Sequence, residues 1–191
     1  IKDAIESFLM QETDFSFEII IHDDASTDNT RKIIEEYKRN YPEIIFPILQ
    51  NENQYSQNKK PSSFTFEVAR GEYIALCEGD DYWIDKDKLA KQVKIFKENA
   101  DVSLCFHPAE QKNLIDGTTH IICNHFSQNL KVPLKEVILG RGHFMPTASL
   151  MFVNKNTEEL IDSFRKAPVG DYFIQVYMSS LGSAYYINIP M

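Results

Sequence analysis

The chain is 191 residues long and 43% hydrophobic, with 28 acidic against 20 basic residues and a formal charge of −8. This composition fits one globular domain with a sizeable core and excludes a disordered chain, and basic residues scattered without a block exclude a nucleic-acid partner. No apolar run reaches the roughly 20 residues that a membrane-spanning helix needs, and no signal-peptide pattern opens the sequence.

In chain order, Ile1, Ile5, Phe8 and Leu9 recur at helical spacing and predict a helix over 1–11, while the β-branched run FEIIIH at 17–22 predicts a strand. Residues 29–40 are helical again, with Ile33, Ile34 and Tyr37 on one side. EIIFPIL at 43–49 is a strand interrupted by Pro47, which places it at a sheet edge. The polar loop QNENQYSQNKKPSS at 50–63 leads to a short helix around 64–69 and a strand at 73–77. Leu89, Val93, Ile95 and Phe96 mark an amphipathic helix over 86–99. Beyond residue 100 the rhythm loosens: strands near 102–106 and 149–153, a helix opening at Pro133, helices near 156–164 and 171–180, and a strand before Met191. Alternating strands and helices in the first half predict an α/β domain with a parallel sheet buried on both faces. Cys77, Cys105 and Cys123 are an odd number in apolar surroundings, the pattern of reduced thiols, so a cytoplasmic setting is expected.

Two acidic clusters follow strands: Asp23 and Asp24 in IIIHDDASTD, and Glu78, Asp80 and Asp81 in IALCEGDDYW. Ligands of open α/β sheets sit beyond the carboxyl ends of the strands, so the clusters line one cleft if their strands are neighbours. Carboxylates this close repel each other unless a cation joins them. Other readings compete for some of these residues. Ser26 or Asp28 serves as a cap for the next helix. Asp24, Ser26, Asp28 and Glu35 fall at positions 1, 3, 5 and 12 of a calcium loop, although Asn29 stands where that loop needs glycine. CFH at 105–107 and CNH at 123–125 supply two Cys and two His, a zinc set in count, yet each Cys-x-His also fits strand alternation. Tyr82 and Trp83 either stack on a sugar or pack against the next helix.

EIIIHDDASTDNT (18–30) followed by ARGEYIALCEGDDYW (69–83) resembles the nucleotide-binding half of family-2 glycosyltransferases with the GT-A fold. PTASLMF (146–152) and GDYFIQVYMSSLG (170–182) are similar to the acceptor-side half. The resemblance implies a Rossmann-like, mostly parallel or mixed sheet flanked by helices, in one domain over 1–191. Its nucleotide-sugar half covers about 1–100 and its acceptor-side half about 101–191, and the family's first strand is expected to be missing, since Ile1 already lies in a helix.

The resemblance further implies a nucleotide-sugar donor and a bound Mn²⁺ or Mg²⁺. Asp81 or Asp80 ligates the metal, the other orients the ribose or metal waters, and Glu78 assists. Asp24 and Asp23 accept hydrogen bonds from base and ribose, with uridine favoured. Asp171 is the general base of an inverting transfer to a hydroxyl of a glycan or lipid-linked saccharide, or merely caps its helix. Gly170 stands where the family often has Glu, and the loop that commonly carries a glycine and an Arg-Asn pair offers Lys59, Lys60 and Arg70 instead. Lys59 or Lys60 reaches a phosphate or belongs to a solvated loop, and His143 in GRGHFMP (140–146) lines the acceptor site or touches the diphosphate. Bacterial surface-polysaccharide synthesis, with a cytoplasmic active site and peripheral membrane association, is the implied setting. Two other readings stand beside this one: a nucleotidyltransferase that makes nucleotide sugars, and a non-catalytic sugar- or metal-binding module.

Overall fold

The computed structural model describes residues 1–155 and 158–191, so Asn156, where a helix is expected to begin, lies outside the described residues. The apolar spacing at the start forms α1 (Lys2–Leu9), which buries Ala4 and Ile5. The strand β1 (Ile19–Asp23) follows, then α2 (Thr30–Asn40) and β2 (Ile45–Leu49). β1 and β2 run parallel, from Ile19 opposite Ile45 to Asp23 opposite Leu49. Among the described residues β2 has no second neighbour, so Pro47 sits on an edge strand, where its missing N–H costs the ladder least.

The helix α3 (Pro61–Val68) precedes β3 (Tyr73–Ala75), and α4 (Lys88–Glu98) precedes β4 (Val102–Phe106). An antiparallel hairpin, β5 (Ala109–Lys112) and β6 (Thr119–Ile122), then leaves the sheet. The sequence reading passes over it, although Asp116-Gly117, with Gly117 at φ +73, is a turn signal. The chain continues through β7 (Leu130–Val132), α5 (Leu134–Gly140), β8 (Met151–Val153), α6 (Glu158–Lys166), α7 (Gly170–Leu181) and β9 (Ser183–Tyr186).

The first-half rhythm predicts β3 in a parallel sheet with the earlier strands, and here the structure differs. β3 joins a five-stranded mixed sheet in the order β3-β8-β4-β9-β7, antiparallel to β8, while among the described residues β1 pairs only with β2. Its side chains are only half buried, as befits a strand at the sheet's edge. By contrast β4, parallel to β9 and antiparallel to β8, is buried at every position and feeds both faces. Leu104 and Phe106 pack toward α7 with Phe152, Ile174 and Met178. Cys105 and Met151 pack toward α4 with Val93 and Phe96. A third cluster joins Ile5, Ile34 and Ile45 to β1.

The core includes a buried lysine. Lys88, at the start of α4, is 0% exposed; its Nζ donates to Gln92 Oε1 at 2.6 Å and lies 4.5 Å from the Trp83 ring. Burial pushes its ammonium down to about 8, against the partial support of Cys105, Cys77 and Asp85. In the unfolded chain a lysine holds its proton to about 10.4. Between those values the unfolded state binds more protons, so this group makes the fold more stable as pH rises. Lys88→Met is expected to stabilise the protein at pH 7 by about 1–2 kcal/mol. It should also flatten the rise between about pH 8 and 10, as read by urea denaturation at several pH values.

Candidate functional site

The carboxyl end of β1 delivers two carboxylates in opposite directions, with Ala25 in the left-handed region at φ 61 just after them. Asp23 turns inward and is 2% exposed. Its Oδ1 accepts the Ser26 N–H at 3.3 Å, and its Oδ2 lies 3.7 Å from Arg31 Nε. That is an ion pair without a hydrogen bond, and both atoms are buried without a hydrogen-bond partner. Arg31, which the sequence reading passes over, also donates to the Gln50 carbonyl at 2.7 Å. A basic residue in the helix turn after an acidic strand end was the available signal.

Asp24 turns outward into the loop over 50–60. Its Oδ1 accepts the Gln54 N–H at 2.7 Å, its Oδ2 accepts the Tyr55 N–H at 3.0 Å, and its carbonyl accepts Asn53 Nδ2 at 3.1 Å. Lys59 Nζ stays within the same loop, donating to Gln54 Oε1 at 2.8 Å. With both carboxylate oxygens of Asp24 committed to the loop, the calcium-loop reading loses its first ligand. Neither Ser26 nor Asp28 is the cap of α2, whose N-cap is Asn29; Asp28, one residue earlier, accepts the Thr30 N–H through Oδ1 at 2.9 Å.

Past β3 the chain turns sharply, Asp81 N–H bonding the Glu78 carbonyl at 3.2 Å, and presents Glu78, Asp80 and Asp81 to solvent. Loss of solvent on the protein side, then repulsion from Asp81, Asp80 and Asp171, pushes the Glu78 carboxyl above its usual range. Asp81 is pushed up for the same first reason and then by Asp80. Oxygen donors crowded in this way suit a hard divalent cation. Among the described residues no three His, Cys, Asp or Glu side chains converge to hold one, so a metal here would draw on fewer than three protein carboxylates.

Asp171, from the second half of the chain, comes within electrostatic reach of Glu78. It lies inside α7, whose N-cap is Val169, and its Oδ1 accepts its neighbour Tyr172's N–H at 2.8 Å, so it is not the cap. Its charge reaches Glu78 on one side and Lys60 on the other. The turn over 141–143 packs against the start of α7, a Cβ on Gly142 falling 3.7 Å from Tyr172 Cβ, and carries His143 exposed beside it.

Three expected contacts are placed elsewhere. Trp83 is 6% exposed, donates Nε1–H to the Ala148 carbonyl at 3.0 Å and packs on Phe8 at 4.6 Å. It is a core side chain rather than a sugar platform, whereas Tyr82 is exposed. Arg70 sits at the opposite, amino ends of the strands, where Nε and Nη2 bond Glu18 Oε2 at 2.9 and 2.5 Å, so it does not face the donor. Lys60 bonds the Ala167 carbonyl and lies 5.0 Å from the Phe164 ring, so it is engaged by α6 instead of standing free in the loop. The zinc set is not assembled either. Cys105 is buried in β4, Cys123 Sγ contacts the His143 carbonyl at 3.4 Å, His125 Nε2 contacts the Phe144 carbonyl at 2.7 Å, and His107 Nδ1 contacts the Pro108 carbonyl at 2.8 Å.

Known proteins carry the same pattern. The profile of glycosyl transferase family 2 matches residues 1–156. An uncharacterized protein of Mycobacterium tuberculosis is 49% identical over 109 residues, 56% of this chain and 31% of its own length. An uncharacterized glycosyltransferase of Nostoc is 33% identical over 162 residues, 82% of this chain and 48% of its own length. The chain therefore spans less than half the length of either relative. A mannosyltransferase of Pyrobaculum calidifontis, solved in complex with GDP-Man and Mn²⁺, matches all of this chain and 50% of its own, with a TM-score of 0.62 at 16% identity. That likeness is one of fold, and the mixed sheet flanked by helices is the GT-A arrangement. The chain belongs to glycosyl transferase family 2.

Proposed function

We propose that this chain is the catalytic domain of a metal-dependent, inverting glycosyltransferase that moves a sugar from a nucleoside diphosphate donor to a hydroxyl of a glycan or lipid-linked saccharide. The observation that carries this reading is the crowding of the 78–81 acids at one turn, with Asp171, from the other half of the chain, near enough to repel the Glu78 carboxylate. Family membership sets aside the nucleotidyltransferase reading, and a non-catalytic module has no need of an acid facing the cluster.

In this reading Asp81 or Asp80 ligates Mn²⁺ or Mg²⁺, the other orients the ribose or the metal's waters, and Glu78 assists from outside the ligand set. An ion bound there would supply positive charge to offset what grows on the diphosphate as the glycosidic bond breaks. Asp23, paired inward with Arg31, fixes the strand end nearest the nucleoside, and Asp24 builds the pocket wall by holding the loop. Uridine is the first base to test and guanosine, the base carried by the fold neighbour's ligand, the second. Asp171 takes the acceptor's proton from the face opposite the leaving group, as inversion requires. His143 and Tyr82 line the approach of the acceptor. Among the described residues no helix is long and apolar enough to cross a membrane, and contact with a lipid-linked acceptor at the inner membrane face fits a surface-polysaccharide role.

Calorimetric titration of UDP and of GDP tests the donor site. Binding of at least one in Mn²⁺, lost in EDTA and weakened roughly tenfold or more by Asp81→Ala, is the expected outcome. The same carboxylate has a stability signature. Its pKa is raised by folding, so its destabilising effect sets in as pH climbs above the ordinary carboxylate value and is complete at neutral pH. Asp81→Asn is therefore expected to raise the metal-free thermal midpoint at pH 7 and to leave it nearly unchanged at pH 4, measured by calorimetry. For the base, Asp171→Asn should lower kcat by roughly 10²- to 10⁴-fold while nucleotide affinity holds. Full transfer by that variant removes Asp171 from the mechanism.

A further inference from the structure

Lys60 has an environment that a solvated loop lysine lacks. It immediately precedes α3 and closes the loop that Asp24 grips through Gln54 and Tyr55. Its ammonium bonds the Ala167 carbonyl just past the carboxyl end of α6, where the helix dipole favours a cation. Phe164 offers its ring 5.0 Å away, and a Cβ on Gly170 would stand 3.5 Å from the same Nζ. That Cβ would also come within 2.9 Å of the Phe164 ring, so a larger residue at 170 collides with the side chain on which the ammonium rests. Asp171 follows directly, and its charge reaches Lys60.

We propose that Lys60 is a positioning residue for Asp171: it pins the turn over 167–170, fixes the aim of α7's first residues, and mechanically joins the turn to the loop held by Asp24. The role rests on the reading of Asp171 as the base. The chain of contacts is continuous, from the strand end at Asp24 through 54–60 to the turn before α7. Glu67 and Phe66 of α3 reinforce it against α6, Glu67 by an ion pair with Arg165 and Phe66 by an edge-on contact with Phe164 at 5.1 Å. Helices α3 and α6 thus make a rigid frame, and Lys60 is the link from that frame to the segment carrying the acid. Small displacements of a reacting group cost up to about 10²-fold in rate, so such a link matters to turnover without touching substrate.

The test compares Lys60→Met and Lys60→Arg in two measurements. Hydrogen exchange over 165–173 needs no substrate: Lys60→Met should exchange at least severalfold faster there with an unchanged thermal midpoint, and Lys60→Arg should stay close to wild type. Turnover is then read with UDP-glucose and GDP-mannose as probe donors, counting release of nucleoside diphosphate. Lys60→Met should lower kcat by roughly 10- to 100-fold. UDP or GDP affinity should stay within about twofold, with Lys60→Arg recovering most of the rate. Unchanged exchange over 165–173 in Lys60→Met overturns the proposal, as does equal loss of nucleotide affinity and turnover. If Asp171→Asn keeps full turnover, the reading of the base fails by itself; if Asp171→Asn is dead and Lys60→Met is not, only the role of Lys60 fails.

Discussion

The segment 146–153 is the seam on which the rest of the molecule depends. Its outer part, β8, pairs with β3 on one side and β4 on the other, and three polar contacts from the first half hold the approach to it. Leu76 N–H bonds the Leu150 carbonyl at 3.0 Å, Gln92 Nε2 the Ser149 carbonyl at 2.8 Å, and Trp83 Nε1 the Ala148 carbonyl at 3.0 Å. The Gln92 bond is buried and the Trp83 bond part-buried, and each of the three satisfies a backbone carbonyl of the seam. Because the 78–81 turn lies between Leu76 and Trp83, holding both ends fixes the acids to the half of the chain that carries Asp171.

Charge is divided between the two ends of the sheets. The amino ends are tied by the Arg70–Glu18 pair, whose guanidinium also lies 4.9 Å from Phe46. The carboxyl ends gather Asp23, Asp24, Glu78, Asp80 and Asp81, with Arg31 engaging Asp23. β1 and β3 lie in different sheets, so the two acidic groups do not stand on neighbouring strands; within the 78–81 turn, lost solvation and then like charge push the Glu78 and Asp81 carboxyls up and create a local attraction for cations. The site is thus less stable than its surroundings when empty, a common cost of groups arranged for chemistry instead of for folding.

Much of this was legible in the sequence because periodicity and strand-end acids are local signals. The helices over 30–40 and 88–98 and the edge strand with Pro47 follow from side-chain spacing and one missing N–H. What escaped was non-local. Nothing in YIALC says that its partner is MFV, some 75 residues later, and so the expected parallel pairing with the first strands gave way to an antiparallel one. Aromatic identity likewise does not tell which way a ring faces: Tyr82 and Trp83 are adjacent, yet one is open and the other closed over Lys88. Lys60 and Arg70 read as equivalent loop cations until their partners, Ala167 and Glu18, are known.

The position of Trp83 has an optical consequence. It is the chain's only tryptophan, buried two residues beyond Asp81, with its ring facing the Lys88 ammonium at 4.5 Å. Tryptophan emission from the native protein therefore comes from one ring at the base of the acidic turn, in contact with a cation that titrates near mildly alkaline pH. Excitation at the long-wavelength edge of the ultraviolet band, beyond where the nine tyrosines absorb, reads the state of this turn without a label.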